Sequence, residues 1–363
     1  MHMADALISP AVGGTAWAAT AGLIGYSSRK LRDGMDYRRI PLMAVLGAFI
    51  FAAQMINFTI PATGSSGHLG GGLILAILLG PYAGFLTLAS VLIIQALFFA
   101  DGGLLALGSN IFNLGFFTCF VVYPILYRKI AGNHHRKWLI VTGAMIGAVA
   151  GLQFGSLAVV TQTFLSGISE LPFRTFVLVM QPIHLAIGLV EGLATVAVIL
   201  FVLKARPEIL KGPIPVAPRV KPLSLKNLTI GFLFATLVIA TGLSWFSSKH
   251  PDGLEWSVLR VIGTGEILES QGKIHRSLAD LQEKTAILPG YRLDRETKLD
   301  ETDISGESTA GPSADMGTSL PGLVGGVLTL LLAGVAWLFL KQHHSRTLTK
   351  DKIHTASVGS DRR

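Results

Sequence analysis

Long apolar runs alternate with short polar, mostly basic segments along this 363-residue chain. About 20 helical residues cross a hydrocarbon core. Spans are therefore expected near 10–27, 41–58, 70–80, 82–100, 105–127, 138–162, 176–203, 227–246 and 321–340. The third is short, and Pro81 separates it from the fourth. Residues 70–100 read either as a re-entrant segment plus a helix or as one bent hairpin. The fold class that follows is an all-α integral membrane protein: a seven-span bundle over residues 1–204 and a two-span unit over 227–340. Between them, residues 205–226 are rich in Pro and basic residues and read as a linker, and 341–363 form a short tail.

Between the last two spans lies a polar insert, 247–320. Ile267, Ile274, Leu278 and Leu281 fall near helical spacing there, so the insert is expected to begin folded. Beyond Leu293 it lacks the apolar residues to bury anything and reads as a flexible tether.

Composition agrees with a membrane protein. Hydrophobic residues make up 50% and charged residues 14%, against about 25% charged in soluble chains, and the mean hydropathy is +0.56. Segments 28–40, 128–137, 204–226 and 341–363 hold 5, 4, 6 and 6 basic residues, whereas 1–9, 59–69, 101–104 and 163–175 hold only Arg174. By the positive-inside rule the N-terminus is expected outside and the C-terminus in the cytoplasm of a bacterial or archaeal cell. The net charge of +8 is accounted for by anchoring at the inner lipid surface, without nucleic acid. Cys119 is the sole cysteine, so neither a disulfide nor a thiolate cluster is available.

The opening MHMADALISP has no basic n-region and no cleavable signal. Initiator methionine is trimmed when the next residue is small, so His2 is expected to keep Met1 in place. The Met1 amine, the deprotonated His2 amide and the His2 imidazole then form three coplanar nitrogen ligands. That geometry suits square-planar nickel(II) or copper(II). Losing the amide proton makes affinity fall as pH drops. The fourth corner has a candidate in His68, within NFTIPATGSSGHLGGG, where glycines permit close backbone approach. Each histidine alone reads more readily as an interfacial packing residue; together on one side they point to metal ligation.

Other polar residues are candidates for the surroundings of that site or a cavity beside it: Asn57, Ser66, Asn110, Asn113, His184 and Glu191. His184 and Glu191 lie two turns apart on one helix face, which suits either a structural hydrogen-bonding role or metal transfer. Asn113 reads more simply as packing between helices. Asp101 in ADGG reads as a cap of the fifth span, with gating of the entrance as the alternative. The His134–His135 and His343–His344 pairs read as solvated loop residues more readily than as weak metal sites on release.

MH at the terminus, SSGHLGGG at 65–72, ADGGLLALGSNIFNLG at 100–115 and PIHLAIGLVEGLAT at 182–195 resemble the CbiM/NikM family, over roughly residues 1–204. This is the substrate-binding membrane component of energy-coupling-factor nickel/cobalt importers. HPDGLEW at 250–256, with its flanking spans, resembles the PDGLE domain of nickel importers. The resemblance implies metal held by the Met1 amine, the His2 amide and imidazole, and His68. It implies import of Ni(2+), with Co(2+) as the alternative, driven by an integral-membrane coupling subunit and separate cytoplasmic ATPases. No organic cofactor is expected. The resemblance also gives the small-residue stripe Gly14, Ala18 and Gly22 two readings, internal packing or a face toward the coupling subunit.

An enzyme reading has little support. There is no G-x-x-x-x-G-K-[ST] phosphate loop and no H-E-x-x-H. A metal-sensing receptor would need a signalling domain larger than residues 341–363, and a membrane assembly factor would work without His2.

Overall fold

The computed structural model describes residues 2–34, 40–132, 136–169, 171–210, 224–263, 272–291, 319–332 and 334–335. Met1, His134, His135, His343, His344, Ile267 of the insert, residues 211–223 of the 205–226 linker and nearly all of the tether expected beyond Leu293 lie outside the described residues. The elements run α1 (Pro10–Gly34), α2 (Ile40–Gln54), β1 (Phe58–Ile60), β2 (Ser65–Gly67), α3 (Gly72–Leu79) and α4 (Pro81–Phe99). They continue with α5 (Leu107–Ala131), α6 (Lys137–Ser166), α7 (Phe173–Ala205), α8 (Leu225–Thr241), α9 (Gly253–Ile262), α10 (Lys273–Thr285) and α11 (Ser319–Leu332).

Four of these helices, α4 to α7, are long and apolar enough to cross a membrane, and α2, α8 and α11 are shorter apolar helices. The third expected span is α3, only eight residues long. At 1.5 Å per residue it reaches about 12 Å, less than half of a bilayer core. The chain then reverses at Gly80, whose φ of +86° favours glycine, and Pro81 starts α4. The segment is thus a half-helix followed by a full one. A small antiparallel pair, Phe58↔Gly67 to Ile60↔Ser65, adds strand to an architecture expected to be all helix.

Close helix packing is carried by glycines on α6 and α7. A Cβ at Gly147 would come within 2.9 Å of Leu73, one at Gly151 within 2.8 Å of Thr118, and one at Gly192 within 2.7 Å of Met145. Small residues four apart let membrane helices approach in this way. The stripe expected for that purpose on α1 does not serve it. Gly14, Ala18 and Gly22 are exposed, and nothing lies within 4 Å of a Cβ at either glycine. It is instead Gly13, Ala16, Thr20 and Ser27 that turn inward. Thr20 donates to the Gly108 carbonyl at 2.7 Å and Trp17 to the Leu104 carbonyl at 3.0 Å, seating α1 on α5.

From Phe112 to Tyr127, α5 takes the wider π-type turn, a form often found beside functional sites. Asn110 and Asn113 flank the point where the winding changes. The C-terminal unit packs against the bundle through α8 and α11. Phe232 meets Phe49 edge-on at 5.3 Å, and Gly325 lies flush on Phe51. Cys119 is buried and packs near the Gly72 carbonyl, as its apolar context led us to expect.

Candidate metal site

The N-terminal residues run into the bundle. Met3, Leu7 and Ile8 are buried in the main core. Asn110 grips the Met3 backbone from both sides, accepting its N–H at 2.8 Å and donating to its carbonyl at 3.2 Å. Gly103 adds an N–H to the same carbonyl at 2.9 Å, and the Asp5 carboxylate accepts the Ala106 N–H at 2.9 Å. The glycines of ADGG make this approach feasible. A Cβ at Gly102 would stand 2.8 Å from Asn110 Nδ2 and 3.3 Å from His2 Cβ, and a side chain at Gly103 would run into Asp5.

This threading brings His2 to His68. Their ring centroids are 5.0 Å apart with a 39° tilt, and both side chains are nearly inaccessible. His68 is aimed by the loop between β2 and α3. Glu191 of α7 accepts the Gly70 and Gly71 N–H groups at 2.9 and 3.0 Å, one on each carboxylate oxygen, pinning the start of the half-helix. The Gln54 side chain donates to the Gly70 carbonyl at 2.9 Å. Nδ1 of His68 lies 3.2 Å from the Leu69 carbonyl. A carbonyl only accepts, so this contact selects the tautomer with the proton on Nδ1, in which Nε2 is the nitrogen able to bind a metal. Among the described residues no group of three or more His, Cys, Asp or Glu is arranged to hold a metal ion. A metal between these two imidazoles would therefore draw further ligands from backbone nitrogen.

Each imidazole has a carboxylate beside it. Nδ1 of His2 is 2.7 Å from Oδ1 of Asp101, while its buried Nε2 has no hydrogen-bond partner among the described residues. Asp101 is thus the partner of His2 and not a helix cap; no side chain caps α5. Burial pushes the Asp101 carboxyl up, but the His2 imidazole and the Tyr291 hydroxyl outweigh it and hold the group well below the usual carboxylate range. Nε2 of His68 lies 3.8 Å from Oδ2 of Asp252, an electrostatic distance longer than a hydrogen bond. Burial pushes His68 down from its ordinary value, and Asp252 opposes the shift.

Asp252 belongs to the PDGLE stretch, which docks on the His68 loop residue by residue. The Ser66 N–H donates to the Pro251 carbonyl at 2.8 Å, and the Ser66 hydroxyl to the His250 carbonyl at 2.8 Å. Oδ1 of Asp252 caps α9, accepting the Leu254 and Glu255 N–H groups at 2.8 Å each, and Glu255 closes the capping box. Gly253 has no side chain because Ile187 and His184 fill the space, 2.9 and 3.3 Å from where a Cβ would stand. Leu254 is buried.

The remaining candidates divide clearly. Asn110 and Glu191 position the two histidine-bearing segments, as described. Ser66 tethers the His68 loop to the PDGLE stretch. Asn57 does not reach the histidines: its backbone donates to Ser247 Oγ at 2.9 Å and accepts from the Ser248 N–H at 2.7 Å. Asn113 exchanges hydrogen bonds with Gln162 at 2.8 and 2.9 Å, a packing link between α5 and α6, with only a 3.8 Å contact to Met3 sulfur toward the site. His184 donates from Nδ1 to the Met180 carbonyl at 2.9 Å. With His68, Gly67, Gly70 and Gly253 it lines a small cavity under the loop.

Sequence reasoning missed Asp101 in this role, Asp252, and Tyr291, whose hydroxyl donates to Oδ2 of Asp101 at 2.6 Å. The PDGLE motif itself was a usable signal, since an Asp three residues before a Glu marks a helix cap.

Residues 2–209 match the family model described as "CbiM: Cobalt uptake substrate-specific transmembrane region", and residues 226–342 match the PDGLE domain. A Haloquadratum walsbyi protein named for metal transport is 35% identical over 209 residues, spanning 58% of this chain and 93% of its own. A fused NikMN protein of Archaeoglobus fulgidus, named for nickel transport, is 37% identical over 218 residues, spanning 58% of this chain and 68% of its own. The crystal structure of a truncated transition metal transporter matches with a TM-score of 0.49 at 30% identity, covering 56% of this chain and 99% of that one. The first of these matches takes in more than half of the residues, and the chain belongs to the CbiM family, with a PDGLE domain behind the family region.

Proposed function

We propose that this chain is the metal-capturing membrane component of an ATP-driven importer, and that its cargo is nickel(II). The observation that carries this reading is the meeting of His2 and His68, 66 positions apart in sequence and 5.0 Å apart between rings, in a covered site. Two imidazole nitrogens, the terminal amine and the His2 amide complete a square of nitrogen ligands, a set that favours nickel(II) geometry over octahedral alternatives. Burying a divalent cation needs compensating charge, and Asp101 and Asp252 supply it from the next layer. The PDGLE domain and the likeness to a fused protein named for nickel transport support nickel; the family model's description supports cobalt(II) as the second reading.

In this reading the histidine cluster faces the outside and the basic segments face the cytoplasm. ATP hydrolysis falls to separate cytoplasmic subunits, and the exposed Gly14, Ala18 and Gly22 stripe meets an integral-membrane coupling subunit. The test is a metal titration of the purified chain with its native terminus, recording the visible spectrum with nickel(II) and with cobalt(II). A yellow, diamagnetic nickel species absent from His2→Ala and His68→Ala is the expected result. Binding that survives both substitutions would refute the site, and a preference for octahedral cobalt(II) would move the cargo to cobalt.

A further inference from the structure

The C-terminal unit does more than pack beside the bundle. Its residues reach both carboxylate–histidine pairs, from two separate segments. On one side, Asp252 stands 3.8 Å from Nε2 of His68, and the preceding backbone clasps Ser66. On the other, α10 and the turn after it strap the loop that carries Asp101. Gln282 donates to the Gly102 carbonyl at 2.7 Å and the Ala96 carbonyl at 2.9 Å, the Leu288 N–H to the Phe98 carbonyl at 3.1 Å, and His275 to the Ile8 carbonyl at 3.0 Å. The strap ends at Tyr291, whose ring stacks on Phe99 at 4.9 Å and whose hydroxyl holds Asp101. Tyr291 adopts φ +59°, left-handed backbone that a bulky side chain rarely takes. Such conformations persist where surrounding contacts fix them and cluster at ligand clamps.

We infer that the PDGLE unit supplies the latch of the metal site, with Asp252 and Tyr291 as positioning residues that slow metal release by acting through His68 and Asp101. This rests on the cargo site proposed above. The chemistry is that of an outer ring of hydrogen-bonding groups. A chelate ring that includes the His2 amide closes only through Nδ1, so metal binding takes Nδ1 away from Asp101. The Asp101 carboxylate, held in place beside the ring by Tyr291, then offsets part of the cation's charge from the next layer. Asp252 contributes by charge: its carboxylate beside His68 offsets part of the cation's charge in a site with little water.

The experiment uses the full-length chain with its native terminus, loaded with nickel(II) in detergent, and follows release into excess chelator by stopped-flow. Tyr291→Phe keeps the stacked ring and loses only the hydroxyl. Asp252→Asn keeps the cap of α9, because Asn caps helices as well as Asp. Each is expected to release nickel about tenfold faster, the scale on which such outer groups act. The metal-free unfolding midpoint should be unchanged, and Asp280→Asn, on the exposed side of α10, should behave as the parent. Parental release rates in both variants, with His2→Ala and His68→Ala unable to bind, would overturn the latch and leave the site standing. Faster release accompanied by an equal loss of metal-free stability would reduce both residues to structural support and also overturn it. Parental nickel binding by His2→Ala and His68→Ala would remove the site reading and the latch together.

Discussion

The α6–α7 pair and the layer that covers the histidines are held together by different physics. The helix pair is joined mainly by apolar contact and small-residue approach, at Gly188 against Val149 and Gly192 against Met145, with one polar link where the Gln153 and Gln181 side chains donate to each other's carbonyls. The covering layer has little regular structure and is tied by polar links between segments far apart in sequence: His2 to Asp101, Ser66 to His250, Tyr291 to Asp101. Apolar contact resists unfolding, whereas a handful of hydrogen bonds, each worth about 1 kcal/mol net, can be exchanged one at a time. The difference separates a scaffold from a closure. Changes in the first should move stability, and changes in the second should move metal affinity.

The largest effect expected is on affinity alone. Two residues added ahead of Met1 remove the free terminal amine from the chelate and should weaken nickel binding by more than about 100-fold, read by competition with a coloured chelator, while the metal-free unfolding midpoint holds. Retained tight binding would break the assignment of the closure. The reverse case is Gly151→Leu, which drives a side chain into Thr118, 2.8 Å from the Cβ position. Overpacking of this kind costs about 1–3 kcal/mol, and a lowered midpoint in a thermal scan is the readout.

Asn110→Ala frees the Met3 backbone and should weaken nickel binding about tenfold, the cost of roughly one to two buried hydrogen bonds. An unchanged affinity would mean that the segment is held well enough by Leu7 and Ile8. The pH dependence sharpens the same point. Burial keeps His68 neutral to lower pH than an ordinary histidine, so its protonation weakens binding only on the acid side of the usual range near 6.5. The terminal amine, with a usual value near 7.7–8.0, and the His2 amide, whose proton leaves only on metal binding, still release protons above that range. Affinity for nickel should therefore keep rising between about pH 7 and 9, and a plateau above 7 would remove the backbone nitrogens from the ligand set. The smallest effect is expected at Gly22→Leu, on the open face of α1, where neither midpoint nor affinity should move in the isolated chain.

The scaffold was legible in the hydropathy because its signal is local: about 20 apolar residues, or eight and a proline, mark α4 or α3 without knowledge of what lies beside them. The pairing of His2 with His68 was legible for a different reason, since a terminal histidine has an intrinsic chelating geometry. The closure was not. Asp101 read as a cap because nothing within reach of it in sequence shows that His2, 99 positions earlier, arrives at 2.7 Å. On α10 the apolar positions Ile274 and Leu281 are about half exposed, whereas His275 and Gln282 face the bundle. Of the apolar positions expected on this helix only Leu278 packs on the core; the polar His275 and Gln282 beside it meet backbone carbonyls, so the docking face mixes polar and apolar residues where an apolar stripe predicts apolar ones alone.

Glu191 has a further effect. A helix beginning near a binding site turns its partial positive end toward it, which is useful for holding phosphate and wrong for attracting a divalent cation. The half-helix α3 begins two residues after Gly70, just past the loop that carries His68. By placing a carboxyl group across the first free N–H groups, the chain offsets the partial charge of that end. The cation cargo proposed above would meet a pole already offset from behind, although the site is built at the positive end of a helix.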